Sequence, residues 1–167
     1  LTAIFLPPFL KYREEKKESS VLTKTYFSSH EWEGVSDTAL IIPDSDNNFI
    51  WYRDKDDKDG DYYSGHYELY LGEEGIDFLT SESSVKDEVT REDIEDMEDP
   101  KYNATEENFV VLVLTNEKEV HYGVEAEYTG SDQVTTELYG FYVNDKDGNK
   151  LTLVNYGNPY EFNLKPR

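Results

Sequence analysis

The run YYSGHYELYL, residues 62–71, changes character at every step. Tyr63, Gly65, Tyr67, Leu69 and Leu71 fall on one side, and Ser64, His66, Glu68 and Tyr70 on the other. Successive side chains of a β-strand point to opposite faces, so a period of two marks a half-buried strand and rules out a helix. Working outward, the same texture recurs. TALII (38–42) and NFIWYR (48–53) precede it, and YFSSHEWEG (26–34) reads as the lead-in to a first strand. Further on, FVVLVLT (109–115) is apolar on both faces, which predicts a central strand covered on both sides. Across an expected NEK turn comes EVHYGVEAEYTG (119–130), with Val120, Tyr122, Val124, Ala126 and Tyr128 expected to face inward. VTTELYGFYV (134–143), LTLVNYG (151–157) and YEFNL (160–164) complete the series.

Residues 73–100 lack this pattern and are rich in acids. Thr90 and Asp93 have the spacing of a capping box, and Val89 and Ile94 that of a hydrophobic staple. A helix near 91–98, stopped before Pro100, follows, with another near 73–80 that turns Ile76 and Leu79 inward. The fold class is therefore mainly β: an antiparallel meander of about eight strands, forming a small barrel or a sandwich, with a short helical insertion near 73–98. Closure into a barrel is favoured because it removes exposed edges. Gly65, Gly123 and Gly140 inside strands suit the sharp coiling a small barrel needs. Residues 26–167 form a single β-rich domain, preceded by an arm, 1–25.

The arm opens LTAIFLPPFL and continues KYREEKK. Ten apolar residues interrupted by Pro7–Pro8 do not span a bilayer. Two readings compete: the trailing part of a membrane anchor, or an apolar arm that docks on the domain or a neighbour. The anchor is preferred, which places the domain outside the cytoplasm at a membrane; a cytoplasmic location is the alternative. The formal net charge of −21 argues against nucleic-acid and anionic-lipid partners. Cysteine is absent, which excludes disulfides, thiol catalysis and cysteine-ligated zinc.

The charged stretch WYRDKDDKDGDYYSG (51–65) invites comparison with a calcium loop. With Gly60 at the sixth position of an EF-hand loop, Asp57 and Asp59 occupy the third and fifth. The first is then Lys55 and the twelfth His66, and both are wrong. The stretch reads instead as a hairpin tip with Asp59–Gly60 at positive φ, and any calcium binding over 54–61 is weak and incidental. DKDGNK (145–150) repeats the logic. His30, His66 and His121 could in principle gather a zinc ion, but His66 and His121 fall on the less apolar faces of their strands, where solvated histidines sit anyway; no catalytic motif is present, and no cofactor is expected. The tyrosines stand out: there are 14 of them. Most fill the core, but a lined cavity is the functional alternative, and Tyr67, Tyr122, Tyr142 and Trp51 are its candidate ligand-binding residues.

Trp32 and Gly34, Trp51, then Gly65 and Tyr67 form a Trp-x-Gly opening, an aromatic strand and a Gly-x-Tyr strand. In this the chain resembles the lipocalin-like domains of membrane-tethered proteins from Gram-positive bacteria. The resemblance covers the first half of the domain and implies a lipocalin-like barrel in an extracytoplasmic, anchored module. It carries no activity and no site residues. The function expected is a non-enzymatic binding domain for a protein or small ligand. The alternative is a small acidic inhibitor, such as an immunity protein or nucleic-acid mimic, held by charge to a basic protein.

Overall fold

The structure is a computed structural model and describes residues 21–158 and 160–167. The apolar stretch 1–10 and the charged residues up to 20 lie outside the described residues. Nine strands are present: β1 (Trp32–Gly34), β2 (Leu40–Pro43), β3 (Asn48–Tyr52), β4 (Tyr62–Leu71), β5 (Phe109–His121), β6 (Val124–Glu127), β7 (Val134–Asp145), β8 (Gly148–Asn155) and β9 (Glu161–Pro166). The helices are α1 (Lys24–Ser28), α2 (Glu73–Ser81) and α3 (Arg91–Asp96). All strand pairs are antiparallel, and the pairing of β4 with β5 closes a ring in the order β4-β3-β2-β1-β9-β8-β7-β5. The protein is thus a closed eight-stranded barrel with β6 outside the ring.

The alternation of residues 62–71 places Tyr67, Leu69 and Leu71 in the interior and leaves Tyr70 on the outer face, stacked on Phe78 of α2. FVVLVLT is covered on both sides, as its composition requires. Val110, Leu112 and Leu114 pack in the interior with Trp32, Phe49, Leu138 and Leu153. Phe109, Val111 and Val113 pack outside, under Ile76, Leu79 and Ile94 of the insertion. Ile76, Leu79 and Ile94 are fully buried, at about 1.5–3 kcal/mol each. The capping box forms: Asp93 N–H donates to Thr90 Oγ1 (3.2 Å), and Thr90 N–H donates to Asp93 Oδ2 (2.8 Å).

Two strand glycines permit closure by letting neighbouring backbones approach. A Cβ on Gly65 would lie 1.8 Å from Thr115 O, and one on Gly140 1.9 Å from Thr152 O. Gly123 has another role. The NEK triplet is not a turn: β5 runs through it, with a bulge where Ser64 pairs with Lys118 and Gly65 with Asn116. The chain reverses instead at Tyr122–Gly123, both at positive φ (50° and 76°), the geometry of a two-residue hairpin. Tyr122 therefore sits on a turn, 85% exposed, and Val124 is 69% exposed, so the inward facing predicted for them is corrected. Val120 pairs with Glu125 on the outer side, while Val124 and Ala126 share the face of His121 and Glu119.

Other expectations also shift. The lead-in to β1 contains α1, whose Phe27 plugs one end of the barrel against Trp32 and Tyr67. Leu22 joins the same core, so the packed body includes residues before 26. The β3–β4 connection is a hairpin, but a wide one over 53–61. Successive turns, Asp57 N–H to Asp54 O and Gly60 N–H to Asp57 O, carry it without positive φ at Gly60. Strand direction puts this loop and the Lys146–Asp147 tip of β7–β8 at opposite ends of the barrel. No helix among the described residues is long and apolar enough to cross a membrane.

Candidate functional site

Tyr67 and Tyr142 are interior filling. Tyr67 is 4% exposed, meets Phe27 edge-on at 5.3 Å and donates its hydroxyl hydrogen to Asp44 O at 2.8 Å. Tyr142 lies against Trp32 and Tyr26 at 6.4 and 6.5 Å, and burial pushes its phenol far up. Trp51 is half-buried on the inner face, edge-on to Phe162 at 5.5 Å. Tyr122 stands apart in solvent. The four residues are not brought to one cavity: three are packing and the fourth marks a surface.

That surface is the end of the barrel opposite α1. Antiparallel order sends the 35–39, 53–61, 128–133 and 156–160 connections and the β5–β6 hairpin tip to this far end. Val35, Tyr122, Val124, Val134, Tyr156 and Tyr160 all lie there, each between 48% and 85% exposed. Among the described residues only Val21, Met97 and Tyr102 are comparably exposed large apolar side chains elsewhere. Scattered single apolar residues need no explanation, but six gathered from separate loops onto one end do.

Beneath the rim polar pairs join neighbouring strands of the barrel mouth. Arg53 Nη2 donates to Tyr63 OH at 2.9 Å, and Tyr128 OH donates to Glu119 Oε2 at 2.9 Å. Asp61 accepts the Tyr122 N–H at 2.8 Å and contacts His121 Nδ1 at 3.0 Å. The Tyr122 N–H, and then His121, hold the Asp61 carboxyl below its ordinary range. The Glu119 hydrogen bond raises the Tyr128 phenol. Each carboxylate with a displaced pKa, namely Glu33, Asp61 and Asp145, is displaced downward, towards the charged form. A general acid needs the opposite shift.

The three histidines have separate partners. His30 stacks on Tyr26, His66 contacts Glu117 at 2.6 Å, and His121 contacts Asp61. Among the described residues no three metal-ligating side chains converge. Lys55, at the failed first position of the calcium loop, is instead paired with Glu33 at 3.2 Å.

A second concavity, of about 930 Å³, lies on the outer face of β7, β8 and β9, walled by the end of the insertion. Tyr139, Phe141, Val143 and Val154 form its floor, and Met97 and Tyr102 its wall. Sequence reasoning missed both surfaces. Tyr156 and Tyr160, in YGNPY, carry the legible signal: two aromatics beside turn residues rather than within a strand. Comparison of the chain with protein-family models, with curated proteins and with solved structures returns no match.

Proposed function

We propose that the protein is a non-enzymatic, extracytoplasmic interaction domain that meets a basic protein partner with the far end of its barrel. The gathering of Val35, Tyr122, Val124, Val134, Tyr156 and Tyr160 at that end carries this reading. Exposed tyrosines offer large, rigid contact area with little entropy to lose, and they accept cations on their faces. Glu125, Glu127, Asp132 and Glu161 stand among them, so the complementary surface is cationic. The tightly packed aromatic interior of a lipocalin-like barrel supports a surface site over a calyx. The apolar residues 1–10 support a membrane tether.

A synthetic peptide alternating arginine and leucine is the probe. Titrated into the isotopically labelled protein, it should move the amide resonances of Tyr122, Val124, Val134, Tyr156 and Tyr160 first. Tyr156→Ala/Tyr160→Ala should weaken it by about 2 kcal/mol. Shifts confined to the acidic insertion would reject the far end as the contact face. Salt separates the inhibitor reading from the broader one. An acidic inhibitor held by charge loses its partner steeply between about 0.05 and 0.5 M salt, whereas an aromatic contact does not. For the tether, the full chain should float with phosphatidylcholine vesicles and Phe5→Glu/Phe9→Glu should not; equal flotation would discard it.

A further inference from the structure

We propose that the groove across β7–β9 is a second site, for a small amphipathic anion with a carboxylate or sulfonate head on an apolar body. The apolar floor runs along the strands, and the charges at its margin are sorted by position. Lys146 and Lys150 stand at the β7–β8 turn, and Lys101 enters from the insertion wall. Glu161, paired with Val154, stands at the other end. Val154 lies four residue steps along β8 from Lys150, about 13 Å of floor. That is room for the body of a medium-length fatty acid or a fused aromatic ring.

The cations are available. Lys150 is paired with Asp145 at 2.6 Å, and Asp145 also accepts the Asp147 N–H. Lys101 lies over the Tyr102 ring at 5.4 Å, and neither it nor Lys146 makes an ion pair among the described residues. Asp99, the remaining acid at the margin, accepts the Lys101 backbone N–H but keeps its charge and offsets one lysine. An anion seated at the turn end therefore meets three lysines against two carboxylates, Asp145, which also feels Lys146, and Asp99, a local excess of one positive charge. In a body of net charge −21 such a place is unusual. The shallow hollow beside α3, by contrast, is edged by Glu95, Glu98, Glu106 and Glu107.

Two dyes test the proposal on the full chain: anilinonaphthalene sulfonate, which is anionic, and Nile red, which is uncharged. The sulfonate should bind saturably to the native protein and be displaced by dodecanoate. Lys101→Glu/Lys146→Glu should weaken it about tenfold while changing Nile red less than about twofold. Thr152→Trp, which fills the floor, should remove both, with circular dichroism confirming the fold. Tyr122→Ala/Val124→Ala, at the β5–β6 tip of the far end and outside the groove lining, should change neither. Nile red binding without the sulfonate, or sulfonate binding indifferent to the lysines, overturns the anion. Binding of neither dye, or loss of both through Tyr122 and Val124, overturns the groove and leaves the far-end reading to its own test.

Discussion

Gly140→Ala isolates the contact on which closure of the barrel depends. The new methyl would lie 1.9 Å from Thr152 O, 3.0 Å from the Thr152 carbonyl carbon and 3.2 Å from Leu153 Cα. All three are backbone atoms of β8, so no side chain can swing aside. Relief requires β8 to retreat by roughly 1.5 Å to ordinary contact distance. Phe141 and Thr152 are directly paired, and the two-residue tip makes theirs a hydrogen-bonded pair. A retreat of that size breaks both bonds, at about 0.5–1.5 kcal/mol each. Overpacking adds about 1–3 kcal/mol. The expected loss is about 2–6 kcal/mol, or about 4–24 °C in Tm for a domain of this length. The control is Gly157→Ala, where φ is 76° but nothing lies within 4 Å of the added atom. There only the left-handed backbone is penalised, at about 1–2 kcal/mol. Urea unfolding followed by tryptophan fluorescence measures both. A Gly140→Ala loss no larger than that of Gly157→Ala would refute the close-approach argument, because backbone conformation alone would then explain each glycine.

Thr90→Ala removes one half of the capping box and should cost about 1 kcal/mol, with faster hydrogen exchange confined to α3 and its neighbours. Acid should destabilise the protein in a defined window. Glu33 is held low chiefly by the Lys55 hydrogen bond, and Asp145 chiefly by Lys150. A carboxyl depressed on folding stabilises above its unfolded value, near about 4, and that contribution fades as pH falls through the folded value. Lys55→Ala should flatten the stability profile below about pH 4, and Lys86→Ala, at an exposed lysine, should leave it unchanged. At alkaline pH, burial raises the Tyr67, Tyr139 and Tyr142 phenols, while the Glu68 hydrogen bond first, and then burial, pushes Tyr70 up to about 12. The 14 tyrosines should therefore ionise in two stages by ultraviolet absorbance, the second accompanying loss of the native circular dichroism. A single transition near about pH 10 with the fold intact would contradict the packing described.

The strands legible in the sequence are those whose environment is set by their own alternation. YYSGHYELYL has one wet face and FVVLVLT has none, and each pattern follows directly from what covers it. The capping box was legible because it is local: Thr90 and Asp93 bond across three residues. The NEK triplet misled because a bulge and a turn both leave polar residues unpaired. Only the partner strand, with Gly65 opposite, separates the two. Tyr122 and Val124 misled by continuing the alternation of β5 past the point where other strands cover it. β1 was hidden by its brevity, since WEG is too short to show a period. The candidate surfaces were less legible than the fold. Tyr156 and Tyr160 share an end of the barrel with Tyr122 and Val134 only because the strand order sends their loops there, which no local pattern records.

The same aromatic wealth that suggests a ligand cavity is what removes it. An eight-stranded barrel has an interior that side chains either fill or leave partly empty, depending on their size. Here Phe27, Trp32, Phe49, Tyr67 and Tyr142 occupy it together, with leucines between them. α1 plugs one end, with Phe27 against Trp32 and Tyr67. Any ligand of the proposed kind must then meet the outside, which is mostly acidic and well solvated. Two places depart from that background, the far-end rim and the β7–β9 groove. They present different chemistry, tyrosine among carboxylates in one and lysine beside an apolar floor in the other, but they meet where Tyr156 acts on Tyr139 and Glu161 borders the groove. Tyr122 and Val124 in the rim and Lys101 and Lys146 in the groove stand away from that seam, so substitutions there judge each site on its own ligand.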